Sequence, residues 1–369
     1  MAGRIVVFGA TGYTGRLTAE ALVRRGQRPV LAARNAVRLA ELAGELGGDL
    51  DVAVADVSRP ETVHALVESN DVLVATVGPF VKWGAAAAEA AIASGASYLD
   101  STGEPPFIRE VFERYGPRAA PAGAKMLTAF GYDWVPGNLA GALALREAGD
   151  AAARVDTGYF ISGGGGSSGS MSGGTRASLA GVLAEPSFAW RDGAIRTERG
   201  AARLRTFHVR GKDRPAVTAG ASENFALPRV HPGLREVNSY LGWFGPASRG
   251  MQAFSLAGSV AFRLPGARSL LGAATDRFVK GSTGGPDATE RSRSGSHIVG
   301  IAYGAAGTQL SEVHLTGVDG YSFTGEILAW GAERAAAGKV EGTGALGPVD
   351  AFGLEELEAG CAEAGIRRA

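Results

Sequence analysis

The sequence has one cysteine, no excess charge and no long apolar run. Cys361 alone cannot form an intrachain disulfide, so a reducing compartment is expected. The 37 basic and 37 acidic residues cancel, which gives no overall attraction to nucleic acid or to an anionic membrane. No stretch of about 20 apolar residues is free of Arg or Pro, and the N-terminus lacks a secretory h-region. We therefore expect a cytoplasmic protein with no spanning helix and no nucleic acid partner.

Short motifs of several enzyme classes are also missing. No tyrosine is followed by a lysine four positions later, which excludes the Tyr-x-x-x-Lys mechanism of short-chain dehydrogenases. The sequence contains no HExxH, no CxxC and no paired His or Cys spacing, so we expect no metal site.

Short apolar runs alternate with helical patterns over the first part of the chain. Residues 4–8 (RIVVF) predict a buried strand, a glycine-rich turn follows, and apolar residues then recur at helical spacing. Five or six such units predict right-handed crossovers and a parallel sheet. After about residue 150 the pattern changes to longer alternating strands, with a hairpin signal at residues 296–317.

These patterns predict an α/β fold in three parts. Residues 1–148 would form an N-terminal Rossmann domain with a doubly wound parallel sheet. Residues 149–338 would form a second, mixed α/β (α+β) domain for the substrate and for dimerisation, inserted before a returning C-terminal helix. Residues 339–369 would carry that helix back to the Rossmann domain. A length of 369 residues fits two domains better than one.

The strongest chemical signal is the glycine-rich loop that follows the first predicted strand and opens a helix. Gly9 would make the tight turn, Gly12 would let the backbone approach a pyrophosphate, and Gly15 would allow close helix–sheet packing. The helix N-terminus would offer free N–H groups to the phosphates. The alternative is a tight turn that binds nothing. The predicted cofactor residues of this loop are Gly9, Ala10, Thr11, Gly12, Tyr13, Thr14 and Gly15.

Arg34 indicates which dinucleotide would bind. It ends the second predicted strand, where NAD-specific folds place an acidic residue for the ribose 2′-OH, and residues 28–40 contain none. Arg34, with Arg38 as a second candidate, could instead pair with a 2′-phosphate, so we predict NADPH. Solvated helix-cap arginines are the alternative. Asp56, after the third strand, could bond the adenine amino group or form a turn.

The nicotinamide end of the cofactor is expected beyond the fourth strand, because ligands lie at the carboxyl ends of strands in an open α/β sheet. Val77, Gly78 and Pro79 end that strand and would bring backbone close to the nicotinamide ribose. Phe80 could pack on the nicotinamide ring, or it could be an ordinary core aromatic.

Four side chains at the later strand ends are candidates for acid–base chemistry. Asp100 and Glu104 bracket a Ser-Thr-Gly turn after the fifth strand, and paired carboxylates near a pocket can exchange protons. Tyr132 and Asp133 lie in the loop after the sixth strand, where a phenol could donate a proton. A surface or capping Glu104, a packing Tyr132 and a helix-capping Asp133 are the alternatives.

The second domain offers weaker signals. The glycine-rich residues 163–174 could form a lid over the substrate. Residues 251–279 predict two apolar helices, which could line a pocket or touch a membrane surface. A core or subunit contact is the commoner explanation of such helices, and a homodimer is expected.

Several longer runs share one family pattern. They are FGATGYTGRLTAEAL (8–22), LAARN (31–35), VGPFVKWGAAAAEAA (77–91), YLDSTGEPPFI (98–108), FGYDWVPGNL (130–139), SGGTRASL (172–179), YSFTGEILAWGAE (321–333) and the closing GPVDAFGLEELEAGCAEAGI. Together they resemble the saccharopine dehydrogenase-like NADP-binding superfamily, most closely its actinobacterial branch that includes trans-acting enoyl reductases.

The resemblance implies a Rossmann domain interrupted by a mixed α/β domain, and NADPH-dependent reduction of C=C or C=N bonds. It implies cofactor binding by Gly9, Thr11, Gly12, Tyr13, Thr14, Gly15, Arg34, Gly78, Pro79 and Phe80. The match departs at residues 131–139, where the acid lies at Asp133 and Trp134 stands in place of a serine. This altered lining suggests a substrate unlike that of the enoyl reductases, and the resemblance supplies no catalytic acid.

We therefore expect an NADPH-dependent reductase that transfers hydride to an activated C=C bond of a small or lipid-like metabolite, in secondary metabolism or lipid synthesis. Two alternatives stay open. One is an imine or saccharopine-type C=N reductase, which needs a cationic clamp for a carboxylate, with Arg176, Arg191 and Arg210 as candidates. The other is a non-catalytic NADPH-binding sensor or scaffold.

Overall fold

The structure is a computed structural model that describes residues 3–163, 186–243, 245, 247–252, 255 and 284–369. Contacts divide the chain into two units, each of which is discontinuous in sequence. The first unit comprises Met1–Gly103, Phe107–Val135 and Gly320–Gly365. The second comprises Glu104–Pro106, Pro136–Asp319 and Ile366–Ala369. Strands and helices are numbered below in chain order.

The first unit is built on a seven-stranded parallel sheet in the order β15-β6-β5-β4-β1-β2-β3. The strands are β1 (Ile5–Phe8), β2 (Val30–Ala33), β3 (Val52–Val54), β4 (Val72–Ala75), β5 (Ser97–Asp100), β6 (Lys125–Leu127) and β15 (Gly344–Ala345). Every residue of β1, β4 and β5 is buried, as expected for strands that helices cover on both faces. The predicted Rossmann sheet is confirmed.

Helices connect these strands and cover the sheet. They are α1 (Tyr13–Arg24), α2 (Ala36–Glu45), α3 (Pro60–His64), α4 (Phe80–Ser94), α5 (Pro105–Glu110), α6 (Gly116–Ala122), α10 (Gly320–Ala336), α11 (Pro348–Phe352) and α12 (Leu354–Glu363), with a π-helical turn at Val111–Tyr115. Local chemistry sets their ends: the Asn35 side chain accepts from the Arg38 N–H at the start of α2, and Gly95 ends α4 in the left-handed conformation.

The boundaries of the units differ from those predicted. The N-terminal part of the first unit ends at Val135, and the unit also includes α10, which the sequence analysis assigned to the second domain. Helix α10 packs on α1 and on strands β1, β4 and β5. Helices α10 and α1 can approach closely because residue 325 is a glycine. A Cβ at Gly325 would lie 3.0 Å from the Leu17 Cβ. The order of strands and helices along the chain does not indicate which sheet a distant helix covers.

The second unit is built on a nine-stranded mixed sheet. Its main path runs β10-β11-β12-β7-β13-β14-β16, with β8 paired to β12 and β9. The strands are β7 (Ala152–Gly163), β8 (Pro186–Arg191), β9 (Ala194–Arg199), β10 (Leu204–Val209), β11 (Lys212–Ala219), β12 (Glu236–Leu241), β13 (Ser294–Gly304), β14 (Gln309–Gly317) and β16 (Ile366–Arg368). The helical elements are α7 (Val135–Ala148), the 3₁₀ turn Gly149–Ala151, α8 (Glu223–Val230) and α9 (Ala288–Ser292). The predicted hairpin is β13–β14, whose strands pair in antiparallel register.

A histidine pair lies on this second sheet. His297 on β13 is buried, and its Nε2 lies 2.7 Å from Nδ1 of His314 on β14. His314 Nε2 lies 2.9 Å from a carboxylate oxygen of Glu312. Burial, followed by the charge of His314, lowers the pKa of His297 to about 4. His297 is therefore neutral at pH 7 in the folded protein.

We predict that acid destabilises the second unit through His297. The ordinary pKa of 6.5 applies to the unfolded chain and about 4 to the folded one, so the unfolded state binds more protons between these values. The stabilising contribution is full above pH 6.5 and is lost as the pH falls toward 4. In urea unfolding curves, the free energy of unfolding of His297→Leu should fall less between pH 6.5 and 4 than that of the wild type, by up to about 3 kcal/mol. His208→Leu, at an exposed histidine, should keep the wild-type slope; equal slopes in all three proteins would contradict the prediction.

Candidate cofactor and active site

The glycine-rich loop forms a tight turn between β1 and α1. Gly9 has φ +94°, and the N–H groups of Gly9 and Ala10 donate to Ala32 O on β2 at 2.8 and 3.1 Å. The Gly12 N–H donates back to Gly9 O at 2.8 Å. Ala10 is fully buried, so only its backbone can contribute to a ligand site. The turn is thus held rigidly against the sheet before the helix begins.

The glycines of the loop have different surroundings. A Cβ at Gly15 would lie 2.2 Å from Gly9 O, so any side chain there would push α1 away from the turn. A Cβ at Gly12 would meet only Gly9 O, at 3.1 Å, so the outer side of Gly12 is open. Helix α1 begins at Tyr13 without a side-chain cap. Its open N-terminus beside Gly12 fits a pyrophosphate.

The ends of β2 and β3 carry the residues that the sequence predicted for the adenosine side of the cofactor site. Arg34 is exposed directly after β2. The Asp56 side chain accepts hydrogen bonds from Ser58 N–H at 2.9 Å and Ser58 Oγ at 2.8 Å. These bonds lower the pKa of Asp56, with smaller contributions from Arg59 and Arg34. Asp56 therefore forms a turn, one of the two roles that the sequence left open, and Arg34 is near enough to act on its charge.

The end of β4 borders the glycine loop on the other side. Thr76 N–H donates to Phe8 O at 2.8 Å, and a Cβ on Gly9 would lie 2.6 Å from Thr76 Oγ1. Val77 and Gly78 are half-buried, and Pro79 precedes the first residue of α4. Phe80 is buried, with its ring centroid 5.6 Å from that of Phe107. The structure places Phe80 in the core.

Asp100 is a buried carboxylate that braces two strand ends. It accepts from the Thr102 and Ala129 N–H groups at 2.9 Å each and from Thr128 Oγ1 at 2.7 Å. Burial raises the pKa of Asp100 to about 6, and these hydrogen bonds oppose the rise. Its oxygens are therefore occupied in joining the ends of β5 and β6.

Asp133 differs from Asp100 in having no such bonds. Its Oδ1 is enclosed and has no hydrogen-bond partner among the residues that the structure describes, and burial raises the pKa of this carboxyl to about 7. Tyr132 is buried beside it in sequence; its N–H donates to Thr324 Oγ1 at 3.0 Å, and its ring lies edge-on to Phe323. Glu104 is also buried, but it belongs to the second unit.

Sequence reasoning missed the start of α10 as a neighbour of the site. Thr324 holds the loop of Tyr132, and the Tyr321 ring lies 5.2 Å from that of Tyr13, edge to face. Both tyrosine and threonine belong to the YSFTGE run at residues 321–326, which was recognised in the family pattern but given no position. No local signal connects that run to a loop almost 200 residues earlier.

A buried polar cluster in the second unit was also missed. Tyr159 Oη donates to Glu223 Oε1 at 2.7 Å and accepts from the Gly137 N–H at 2.8 Å. Thr157 Oγ1 lies 3.4 Å from the same carboxylate oxygen. These bonds tie α7 and α8 to β7.

Of the three arginines proposed as a carboxylate clamp, the structure describes Arg191 and Arg210. Arg191 is buried and lies 3.1 Å from Glu198, with further bonds to the carbonyl oxygens of Trp190 and Val237. Arg210 has φ +53° in the turn between β10 and β11 and is exposed. Arg176 lies outside the described residues.

Two other predictions fall on residues outside the description. They are the lid at 163–174, apart from Gly163, and the apolar segment 251–279, apart from residues 251, 252 and 255. Within the described ranges, no helix is both long and apolar enough to span a bilayer. The same ranges hold no group of three or more His, Cys, Asp or Glu side chains that could bind a metal ion.

Residues 5–127 match the family model described as the saccharopine dehydrogenase NADP binding domain. Over these residues, which form the N-terminal third of the chain, the protein is similar to this family. The match covers β1 to β6, with the glycine loop, Arg34 and the Val77–Phe80 turn inside it. A nicotinamide dinucleotide is therefore the cofactor class of the first unit, and the residues around Gly12 fit its pyrophosphate.

This chain matches its curated relatives over only part of their lengths. A Mycobacterium tuberculosis protein assigned by name to the trans-acting enoyl reductases is 40% identical over 191 residues, which are 50% of this chain and 45% of the relative. The trans-acting enoyl reductase of Mycobacterium leprae is 39% identical over 140 residues, which are 37% of this chain and 34% of the relative. The match therefore spans less than half of each relative.

Two solved structures share the fold over the full chain. Saccharopine dehydrogenase (L-Glu forming) from Saccharomyces cerevisiae has a TM-score of 0.62 at 14% identity, covering 100% of this chain and 99% of that one. Homospermidine synthase from Legionella pneumophila, in complex with NAD, has a TM-score of 0.61 at 11% identity, covering 100% and 92%. At these identities the likeness concerns the fold alone.

Proposed function

We propose that this protein is an NADPH-dependent oxidoreductase that reduces an activated, enoyl-type C=C bond of a small or lipid-like metabolite. The observation that carries the proposal is the NADP-binding family domain with its open pyrophosphate turn at Gly12. The enoyl acceptor is supported by the partial relatives that bear the name of enoyl reductases. A homodimer and a role in secondary metabolism stay predictions.

The residues of the first unit would divide the work of holding the cofactor. The open start of α1 and Gly12 would hold the pyrophosphate, and Arg34 the 2′-phosphate. The Val77–Pro79 turn would place backbone beside the nicotinamide ribose. Bound NADPH would supply the hydride, while the protein orients the acceptor and excludes water.

The C=N alternative has less support. A carboxylate-bearing imine needs a cationic clamp, and Arg191 already has Glu198 and two backbone carbonyls as partners. The experiment that tests the proposal measures the loss of reduced-nicotinamide absorbance with crotonyl-CoA and, separately, with 1-pyrroline. We expect turnover with the enoyl thioester. Turnover with the imine alone would support the C=N reading, and tight cofactor binding without any turnover would support a non-catalytic sensor.

Arg34→Ala should remove the preference for NADPH. A charge-assisted bond to a phosphate contributes about 1.5–3 kcal/mol, so NADPH affinity should fall by about 10- to 100-fold while NADH affinity stays unchanged. Fluorescence titration with both cofactors measures this. Arg28→Ala is the matched control, because Arg28 precedes β2 and its side chain pairs with Asp49 at 2.9 Å. Equal losses for NADPH and NADH would contradict the role assigned to Arg34.

A further inference from the structure

The loop after β6 is firmly built, although Asp133 within it is not hydrogen-bonded at Oδ1. Phe130 N–H donates to Asp100 O at 2.7 Å, and Trp134 N–H donates to Ala129 O at 2.9 Å. These bonds fix the backbone on both sides of Asp133. A fixed backbone holds the carboxyl in a defined place, so within the described part of the chain the unpartnered Oδ1 is a property of the fold and not of a loose loop.

The Asp133 carboxyl lies against Gly103 in the loop after β5. A Cβ at Gly103 would lie 2.8 Å from Asp133 Oδ2, so glycine leaves room for the carboxyl at this point. The loops after β5 and β6 follow β4 in the sheet order, on the side opposite β2 and β3. Because β2 and β3 serve the adenosine half, the Asp133 carboxyl lies on the nicotinamide half of the sheet edge.

Asp100 and Asp133 are both carboxyls whose pKa is raised by burial, but the donors around them differ. Three donors stabilise the ionised form of Asp100. Asp133 Oδ1 has no donor, so burial favours its neutral form, and the pKa of the group is raised to about 7. A carboxyl that keeps its proton near neutral pH can act as a general acid.

We propose that Asp133 is the proton donor of the reduction, an inference that rests on the proposed function. In the balanced step, the β-carbon of the enoyl group gains the hydride and the C=C electron pair shifts toward the carbonyl. The α-carbon then forms a C–H bond with the Asp133 proton as the O–H bond breaks. NADPH becomes NADP⁺, and the Asp133 carboxylate regains a proton from water.

The first test needs neither cofactor nor substrate. Infrared difference spectra of wild type minus Asp133→Asn, recorded across pH 5–9, should show a protonated carboxyl band that disappears with a midpoint near 7. If no protonated carboxyl band appears anywhere in this range, as expected for the ordinary pKa of 3.8, the inference is overturned. The result does not depend on whether the protein reduces enoyl groups.

The second test measures turnover. Asp133→Asn should leave NADPH binding unchanged and lower kcat by about 10²- to 10⁴-fold, the usual range for a lost general acid. Wild-type kcat/KM should fall as the pH rises through about 7, and the variant should lack this limb. Asp192→Asn, at an exposed turn, is the matched control and should keep wild-type kinetics.

The two proposals fail in different ways. Wild-type turnover together with an unchanged kcat in Asp133→Asn would overturn the role of Asp133 and leave the reductase proposal standing. Absence of wild-type turnover on any acceptor would count against the reductase proposal, and the infrared midpoint would still decide whether Asp133 is a neutral acid. A wild-type pH profile without a limb near 7 would overturn the inference even if the variant folded poorly.

Discussion

Gly12→Val should abolish NADPH binding and leave the first unit folded. The backbone of Gly12 is extended, with φ −82° and ψ 166°, which valine adopts without strain. Its Cβ would meet only Gly9 O, at 3.1 Å, so the turn needs to yield by only a few tenths of an ångström. The rest of the side chain would occupy the space where a pyrophosphate approaches the backbone. We expect affinity to fall by at least about 100-fold, or about 2.7 kcal/mol.

Two measurements separate lost binding from lost folding. Circular dichroism should give a melting temperature close to that of the wild type, and fluorescence titration should show no saturable NADPH binding. Gly44→Ala is the matched control: Gly44 lies in α2, and alanine favours a helix. Among the described residues, no atom other than its chain neighbours and the backbone of its own helix lies within 4 Å of the added Cβ. Wild-type affinity in Gly12→Val would show that the cofactor does not lie against this turn.

The sequence predicted the tight turn between β1 and α1 well because its determinants are local. A buried strand, a glycine at the turn and a helix start lie within 20 residues, and each has a direct signature in the sequence. The structure then added the reason for each glycine, such as the 2.2 Å between a Cβ at Gly15 and Gly9 O. The Rossmann sheet followed from the same local pattern repeated along the chain.

The choice among the acids could not be made in this way. Asp100 and Asp133 are both aspartates at strand ends, and what separates them is the set of donors around each carboxyl. The partners of Asp100 include Thr128 and Ala129, which are 28 and 29 residues away in sequence. Hydrogen bonds between distant loops depend on the folded geometry, so Asp100, Glu104, Tyr132 and Asp133 stood as equal candidates until the structure was known.

The membership of α10 in the first unit leads to the second large prediction. Trp330 on α10 is completely buried, and its ring centroid lies 4.7 Å from that of Phe352. A Cβ at Gly360 on α12 would lie 2.4 Å from the Trp330 ring, so the C-terminal helix packs directly on the indole. Trp330→Ala should therefore open a cavity between α10, α11 and α12 and lower the free energy of unfolding by about 3–5 kcal/mol.

Denaturant unfolding followed by circular dichroism, with and without NADPH, identifies the unit that is affected. A ligand that binds only the folded form raises the stability of the unit that binds it. The transition that Trp330→Ala weakens should be the same one that NADPH strengthens, because α10 covers the sheet that carries the glycine turn. Val37→Ala, at a side chain that is 68% exposed, should change stability by less than about 0.5 kcal/mol. If Trp330→Ala destabilised only a transition whose midpoint NADPH does not shift, α10 would belong to the second unit, as the order of elements in the sequence had suggested.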